Sequence, residues 1–279
     1  MPERSDRAGL RAGAAMLALV LALVLGYAIG RATGPDSAPA AATAGGHTHA
    51  APGADVGGLA VSAGGYTLVP STTRFRAGVA APFEFRVLGP DGKPLTTFVT
   101  MHDKPLHLVV ARRDLTGYQH LHPTMAADGT WSVALTLPAA GSWRAFADFV
   151  APGGVATTLG VDLAVPGDFA PVDLPPPSNT STVDGLAVSY EGAPRLGNTS
   201  PLLFRVDHGA LEPYLGAYGH LVVVREGDLA YLHVHPDGGL VDGAIRCWLP
   251  APSVGRYRAF LDFQVDGAVH TAQFTLVVS

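Results

Sequence analysis

An internal repeat that covers most of the chain constrains its fold more than any other feature of the sequence. Five sequence blocks recur in the same order in the two halves, and their paired histidines are separated by 113 residues. The matched blocks are Gly58–Ser62 with Gly185–Ser189, Phe85–Val87 with Phe204–Val206, His107–Val110 with His220–Val223, His120–Pro123 with His233–Pro236, and Trp143–Phe149 with Tyr257–Phe263. Two homologous domains are therefore predicted, over residues 58–167 and 184–279, joined by a stiff Pro-rich linker over 168–183.

Each repeat shows short apolar segments separated by turn signals. Phe83–Leu88, Trp131–Leu137 and Thr157–Val165 alternate apolar with polar or small residues, or are β-branched, which is typical of strands. The 34 glycines and 23 prolines of the chain disfavour helix interiors and supply turns. The sequence thus predicts an all-β protein of two tandem immunoglobulin-like or cupredoxin-like β-sandwich domains.

A membrane-spanning segment is expected before the repeats. Residues 12–29 are apolar and uncharged, close to the minimum length for a transmembrane helix. Arginines within residues 1–11 favour a cytoplasmic N-terminus, while small residues after the run leave a cleaved signal sequence open. Residues 30–57 are rich in Gly, Ala and Pro, which predicts a flexible tether. We expect a single-pass protein of the cell membrane with most of its chain extracytoplasmic, or a secreted protein if the segment is cleaved.

Charge and motifs exclude several functions. A net charge of −5 argues against nucleic-acid binding, and Cys247, the one cysteine, has no disulfide partner within the chain. The sequence contains no nucleophile elbow, no phosphate-binding Gly-rich loop and no His-Glu-x-x-His motif. The chain is therefore predicted not to be an enzyme.

The histidines concentrate on one hairpin of each repeat. Folding the first hairpin between Asp114 and Leu115 places His107 opposite His122, and His120 shares a face with His122 because strand side chains alternate. Neighbours across strands lie about 5 Å apart at Cβ, so three imidazoles converge. The same spacing in the second repeat groups three further histidines, which are His220, His233 and His235.

Matched aspartates and extra ligand types accompany these histidines. Asp148 and Asp262 interrupt apolar strands, so each needs a partner. Each is expected to act as a fourth ligand or as an acceptor that orients a ligand imidazole. Met101 and His102 adjoin the first site only, and a thioether favours Cu(I), whereas imidazoles with a carboxylate suit Cu(II) or Zn(II).

The segments around these histidines resemble a known group of bacterial proteins. Residues 101–110 with His120–Pro123, and residues 214–221 with Tyr231–Pro236, are similar to secreted or membrane-anchored heavy-metal-associated proteins with YtkA-like β-sandwich domains. The resemblance covers both repeats and implies an extracytoplasmic β-sandwich with a role in copper handling.

The sequence therefore predicts a membrane-anchored protein that binds a transition-metal ion in metal homeostasis or delivery. Copper is the expected ion and zinc the alternative. The competing hypothesis is an interaction module for an envelope protein, in which hydrogen bonds among the histidines are purely structural.

Overall fold

Residues 56–279 are described by the computed structural model, and every regular element in that range is a β-strand. The all-β prediction is thereby confirmed. The predicted membrane segment (12–29), the residues before it (1–11) and the tether up to residue 55 lie outside the described residues. Within residues 56–279, none of the elements is a helix of the length and hydropathy needed to cross a membrane.

The first repeat forms two antiparallel sheets. One has the strand order β1-β2-β3-β7-β6 and the other β5-β4-β8-β9. The strands are β1 (Ser62–Ala63), β2 (Tyr66–Pro70), β3 (Ala81–Leu88), β4 (Leu106–Arg112), β5 (Gln119–Leu121), β6 (Thr124–Met125), β7 (Trp131–Leu135), β8 (Gly141–Val150) and β9 (Ala156–Val165).

The second repeat forms the corresponding pair of sheets. One has the order β10-β11-β12-β17-β16, and the other has the order β13-β18-β14-β15 with β19 paired to β18. The strands are β10 (Thr180–Val183), β11 (Leu186–Glu191), β12 (Thr199–Val206), β13 (Leu211–Glu212), β14 (Gly219–Arg225), β15 (Tyr231–His233), β16 (His235–Pro236), β17 (Ile245–Pro250), β18 (Gly255–Val265) and β19 (Ala268–Val278).

Alternating residues build a core between the two sheets of each repeat. In β3, Phe83, Phe85 and Val87 point inward while the residues between them are exposed. They pack against Leu108 and Ala145 of the opposite sheet. The second repeat has its own core of the same kind, so each repeat is a β-sandwich.

Strand β4 is buried on both faces, and this positions the functional site. Leu106, Leu108 and Val110 belong to the core of the first repeat, whereas Val109 belongs to a third apolar cluster. That cluster combines Val109, Leu115 and Phe146 of the first repeat with Val222, Val224, Leu229, Tyr231 and Phe260 of the second. The sheet that contains β4 therefore packs against the sheet that contains β14, and we call this contact the repeat interface.

The repeat interface has approximate two-fold symmetry. Tyr118 stacks on Phe260 with ring centroids 4.0 Å apart. The two residues at the matched positions make the reciprocal contact: the ring centroids of Tyr231 and Phe146 lie 5.3 Å apart. Such self-complementary contacts are typical of an isologous interface, here formed between two halves of one chain.

The Pro-rich linker is attached to the repeats it joins. The backbone N–H of Val172 donates to Asp114, and the Arg256 guanidinium donates to the carbonyl oxygen of Leu174. The linker thus runs along the protein surface with fixed contacts, whereas composition alone indicated a spacer between separate domains.

Candidate metal centre

The hairpin of β4 and β5 has the register that the histidine spacing predicted. Val109 pairs with His120, and continuing this antiparallel register by two residues on each side sets His107 opposite His122. Because side chains alternate along a strand, His107 shares a face with Val109. The histidines therefore face the repeat interface and not the core of their own sandwich.

Three histidines of the first repeat converge at the end of this hairpin. His107, His120 and His122 each offer a ring nitrogen, and these nitrogens all lie within 4.8 Å of one another. Their ring centroids are 4.9 to 5.2 Å apart. Metal–nitrogen bonds of about 2 Å allow one ion to bridge nitrogens at such separations after small rotations of the rings.

The hydrogen bonds around this triad define which nitrogens carry protons. His107 Nε2 lies 3.0 Å from the carbonyl oxygen of Met101, which only accepts, so Nε2 is the donor. His120 Nδ1 lies 2.8 Å from the Asp262 carboxylate and donates for the same reason. In neutral rings the remaining nitrogens, His107 Nδ1 and His120 Nε2, therefore both present lone pairs, and they face each other at 3.0 Å. Two facing lone pairs repel, so this position favours a cation, either a proton or a metal ion.

His122 adds a third available nitrogen. Its Nε2 is buried and has no hydrogen-bond partner among residues 56–279. Burial lowers the pKa of His122 from 6.5 to about 3 and the pKa of His107 to about 4, with neighbouring histidines contributing in the same direction. Both rings are neutral at physiological pH, which is the state that binds a metal ion.

Asp262 orients a histidine of the other repeat. Its Oδ2 accepts from His120 Nδ1 at 2.8 Å and from the Tyr118 hydroxyl at 2.9 Å, and its Oδ1 accepts from Thr271 at 2.5 Å. The sequence grouped Asp262 with the histidines of its own repeat. In the structure Asp262 lies opposite His220 of its own repeat and also binds His120 across the repeat interface, because the hairpin of the first repeat packs on β18.

Asp148 occupies the equivalent position in the first repeat. It lies opposite His107 in the pairing of β4 with β8 and is almost fully buried. Its carboxylate accepts from the Thr158 hydroxyl at 2.8 Å and from the Tyr231 hydroxyl of the second repeat at 3.4 Å. Both aspartates therefore bind a tyrosine of the opposite repeat.

Met101 and His102 belong to a tight turn beside the triad. Met101 and Lys104 exchange backbone hydrogen bonds, and the two residues between them have positive φ values of 50° and 59°. This left-handed conformation is unusual for a residue other than Gly. The turn brings the His102 ring to 6.2 Å from that of His107 and 4.8 Å from that of His220.

His220 reaches the same place from the second repeat. Its ring lies 6.2 Å from that of His107 and 6.1 Å from that of His120. For His233 and His235 the structure describes the backbone: His233 pairs with Val222 as His120 pairs with Val109, and His235 begins β16.

A small cavity lies among these residues. It has a volume of about 30 Å³, enough for a water molecule or an ion. Residues of both repeats line it, including Met101, His102, His107, His120 and His220.

Sequence reasoning missed the two tyrosines that bind the aspartates. Burial raises the pKa of Tyr118 and of Tyr231 well above 10, so both hydroxyls stay protonated and donate. The signal was present, because the two tyrosines occupy matched positions two residues before the first histidine of each returning strand. Their role depends on a contact between repeats that sequence spacing does not encode.

A family model for a domain of unknown function, DUF8832, matches residues 61–167 and 181–279. The chain belongs to the DUF8832 family. The matched ranges cover the two DUF8832 sandwiches described above, together with every histidine of the centre. No curated protein matches this DUF8832 chain.

Solved structures similar to this DUF8832 protein include bacterial adhesins. The Yersinia pseudotuberculosis adhesin InvE is 13% identical (TM-score 0.24), with 76% of this chain and 58% of that chain covered. The Escherichia coli adhesin FdeC is 15% identical (TM-score 0.28), with 79% and 66% covered. A tetra-tandem repeat from the extending region of a large adhesion protein is 14% identical (TM-score 0.27), with 77% and 49% covered. The chain thus spans about half to two thirds of each of these structures.

Proposed function

We propose that this protein binds a transition-metal ion at the histidines of its repeat interface and serves in metal homeostasis or delivery. The observation that carries the proposal is the 3.0 Å separation of His107 Nδ1 and His120 Nε2, because these two nitrogens present facing lone pairs when both rings are neutral. The buried Nε2 of His122, which has no hydrogen-bond partner in the described part of the chain, supplies a third ligand beside them. Leaving a buried polar group unpaired costs about 1–3 kcal/mol, so a metal ion bound at this nitrogen would remove that cost.

Copper is the ion that the ligand types favour, with zinc as the alternative. Neutral imidazole suits both metals. Met101 lines the cavity beside His107 and His120, and its thioether is a soft ligand of the kind that suits Cu(I). The resemblance to heavy-metal-associated proteins with YtkA-like domains supports the same choice.

The same proposal extends to fold class and location. We assign each sandwich to the immunoglobulin-like or cupredoxin-like type, on the basis of seven or more short antiparallel strands in two sheets. We place the repeats outside the cytoplasm behind a membrane anchor at residues 12–29, an inference from the apolar run alone.

A second candidate function is an interaction module with structural histidines. The hydrogen bond between His120 and Asp262 favours it, since this contact links the repeats whether or not a metal binds. In that case a proton occupies the position between His107 and His120, and the sandwiches bind an envelope protein through other surfaces.

Metal binding by the full chain and by a His122→Ala variant separates the two candidates. Copper and zinc are titrated by calorimetry and counted by elemental analysis. His122 Nε2 makes no hydrogen bond within the described residues, so its removal should leave folding intact while weakening metal affinity by more than about tenfold. His208→Ala is the matched control, because that histidine is exposed on the surface.

Absence of copper and zinc binding by the parent chain would refute the metal proposal. Equal affinity in the parent and in His122→Ala would exclude the triad as the site. A loss of folding stability in His122→Ala, with no metal bound by the parent, would favour the structural role.

A further inference from the structure

The cavity at the repeat interface is lined by histidines of both repeats. His107 and His120 reach it from the first repeat, and His220 reaches it from the second. The ring centroid of His220 lies 6.2 Å from that of His107 and 6.1 Å from that of His120. The cavity volume of about 30 Å³ is enough for one ion. A single ion in this place is therefore close to ligands from both repeats.

His220 is held in the same way as His107. Each ring places Nε2 3.0 Å from a backbone carbonyl oxygen, that of Tyr214 for His220 and that of Met101 for His107. A carbonyl oxygen only accepts, so Nε2 donates and Nδ1 of the neutral ring carries the lone pair. Both side chains are buried, at 5% exposure each. The backbone of each repeat thus fixes one buried imidazole with Nδ1 available to a metal ion.

The spacing of the first triad is compatible with three of the four positions of a tetrahedral site. An ion bonded to an imidazole nitrogen at about 2 Å lies about 3 Å from the ring centroid, so tetrahedral imidazoles have centroids about 5 Å apart. The centroids of His107, His120 and His122 are 4.9 to 5.2 Å apart. His220 is about 1 Å beyond this spacing from His107 and His120, so a small shift of its ring places it in the fourth position.

Buried carboxylates of both repeats accompany these histidines. Asp262 lies opposite His220 in the pairing of β14 with β18 and accepts from His120 across the repeat interface. Asp148 lies opposite His107 in the pairing of β4 with β8 and lines the cavity. A cation away from water needs nearby negative charge, because an unbalanced buried charge is costly. One aspartate from each repeat supplies that charge.

His102 is the rival for the fourth position. Its ring also lines the cavity, and its centroid lies 6.2 Å from that of His107. His102 is half-buried in the turn between Met101 and Lys104, whereas His220 is buried within β14. Ligands on strands are positioned more precisely than ligands on loops, which favours His220.

We propose that His220 is the fourth ligand of a single ion that is also bound by the first triad. This inference rests on the proposed function and adds that one site takes its ligands from both repeats. The ion then joins the two sandwiches, so metal binding and packing of the repeat interface strengthen each other. Separation of the sandwiches would remove one ligand of four and weaken the hold on the ion, which provides a route for its release during delivery.

The experiment loads the full chain with copper and, in a second sample, with zinc, and counts the imidazole ligands by X-ray absorption spectroscopy. We expect one ion per chain with four imidazoles. His220→Gln keeps an amide N–H that can donate to Tyr214, but it removes the imidazole. This variant should bind one ion through three imidazoles, with affinity weakened by about tenfold or more. His102→Gln and the exposed control His208→Gln should both keep four imidazoles.

The outcomes distinguish this inference from the proposed function. Three imidazoles in the parent chain, or an unchanged imidazole count in His220→Gln, overturns the shared site and leaves metal binding standing. A loss of one imidazole in His102→Gln assigns the fourth position to His102 and also overturns the inference. No bound ion in the parent chain overturns the proposed function itself. The parent and His102→Gln measurements keep the inference open to refutation even if His220→Gln fails to fold.

Discussion

Replacing Asp262 with Asn removes one negative charge from the repeat interface while preserving the shape of the side chain. The carboxylate is 4% exposed and accepts from His120, Tyr118 and Thr271. An amide can keep all three bonds, because its oxygen accepts from His120 and Tyr118 while its NH₂ group donates to the Thr271 hydroxyl. The substitution therefore tests the charge and not the presence of a partner.

The expected loss of stability follows from the difference between charged and neutral hydrogen bonds. Bonds to a charged group contribute about 1.5–3 kcal/mol and neutral ones about 0.5–1.5 kcal/mol. The bonds from His120 and Tyr118 each lose about 1 kcal/mol, so the free energy of unfolding should fall by about 2 kcal/mol. Asp262→Ala, which leaves buried donors without an acceptor, should cost more, about 3–5 kcal/mol.

Asp184→Asn is the matched control. Asp184 also accepts from a histidine at 2.8 Å, His270 Nδ1, but its side chain is 66% exposed. Exposed ion pairs contribute at most about 1 kcal/mol, so this variant should be nearly neutral. Urea unfolding of the full chain with a metal chelator present gives both values without a contribution from bound metal. Equal losses in Asp262→Asn and Asp184→Asn would refute the argument that burial at the repeat interface strengthens the His120–Asp262 pair.

Two further predictions concern the repeat interface and pH. Phe260→Ala should lower the free energy of unfolding by about 3–5 kcal/mol, because Phe260 is fully buried and stacks on Tyr118. The control variant Val277→Ala should change it little, because Val277 is exposed. Similar urea midpoints for the two variants would contradict a packed interface. Burial lowers the pKa of His107 from 6.5 to about 4 and that of His122 to about 3, so below pH 6.5 the unfolded metal-free chain binds protons that the folded chain does not. Stability is therefore complete above about pH 6.5 and is lost as the pH falls toward 4, by on the order of 3 kcal/mol for His107. Urea unfolding at a series of pH values measures this slope, which should be shallower in His122→Ala; a flat profile in the parent would disprove the assigned burial effect.

Local pattern was sufficient for most of the fold. The alternation in Phe83–Leu88 predicted β3, and the apolar run before Pro166 predicted β9, because burying one face of a strand leaves a period of two in the sequence. The histidine spacing also predicted the hairpin register, since His107 and His122 are equidistant from the turn. The convergence of the first triad followed from that register alone.

The partners of the site could not be obtained in this way. The run from Leu106 to Arg112 is buried throughout. A strand buried on both faces has a continuous apolar sequence, and that sequence does not depend on whether the second face meets a sheet, a linker or a ligand. Only the packed structure shows that this face meets β14 and β18. The bond between Asp262 and His120 was consequently missed, because residues 142 positions apart leave no periodic signal in the chain.

The sequence by itself thus determined the two repeats, their all-β character and the grouping of histidines on each hairpin, since all three depend on residues close together along the chain. The tertiary structure decided that the hairpins face each other, that Asp262 and Tyr118 join opposite repeats, and that His220 lies beside the first triad. These features arise from burying apolar surface between the repeats, around Phe146 and Phe260, and burial is a property of the folded surface as a whole.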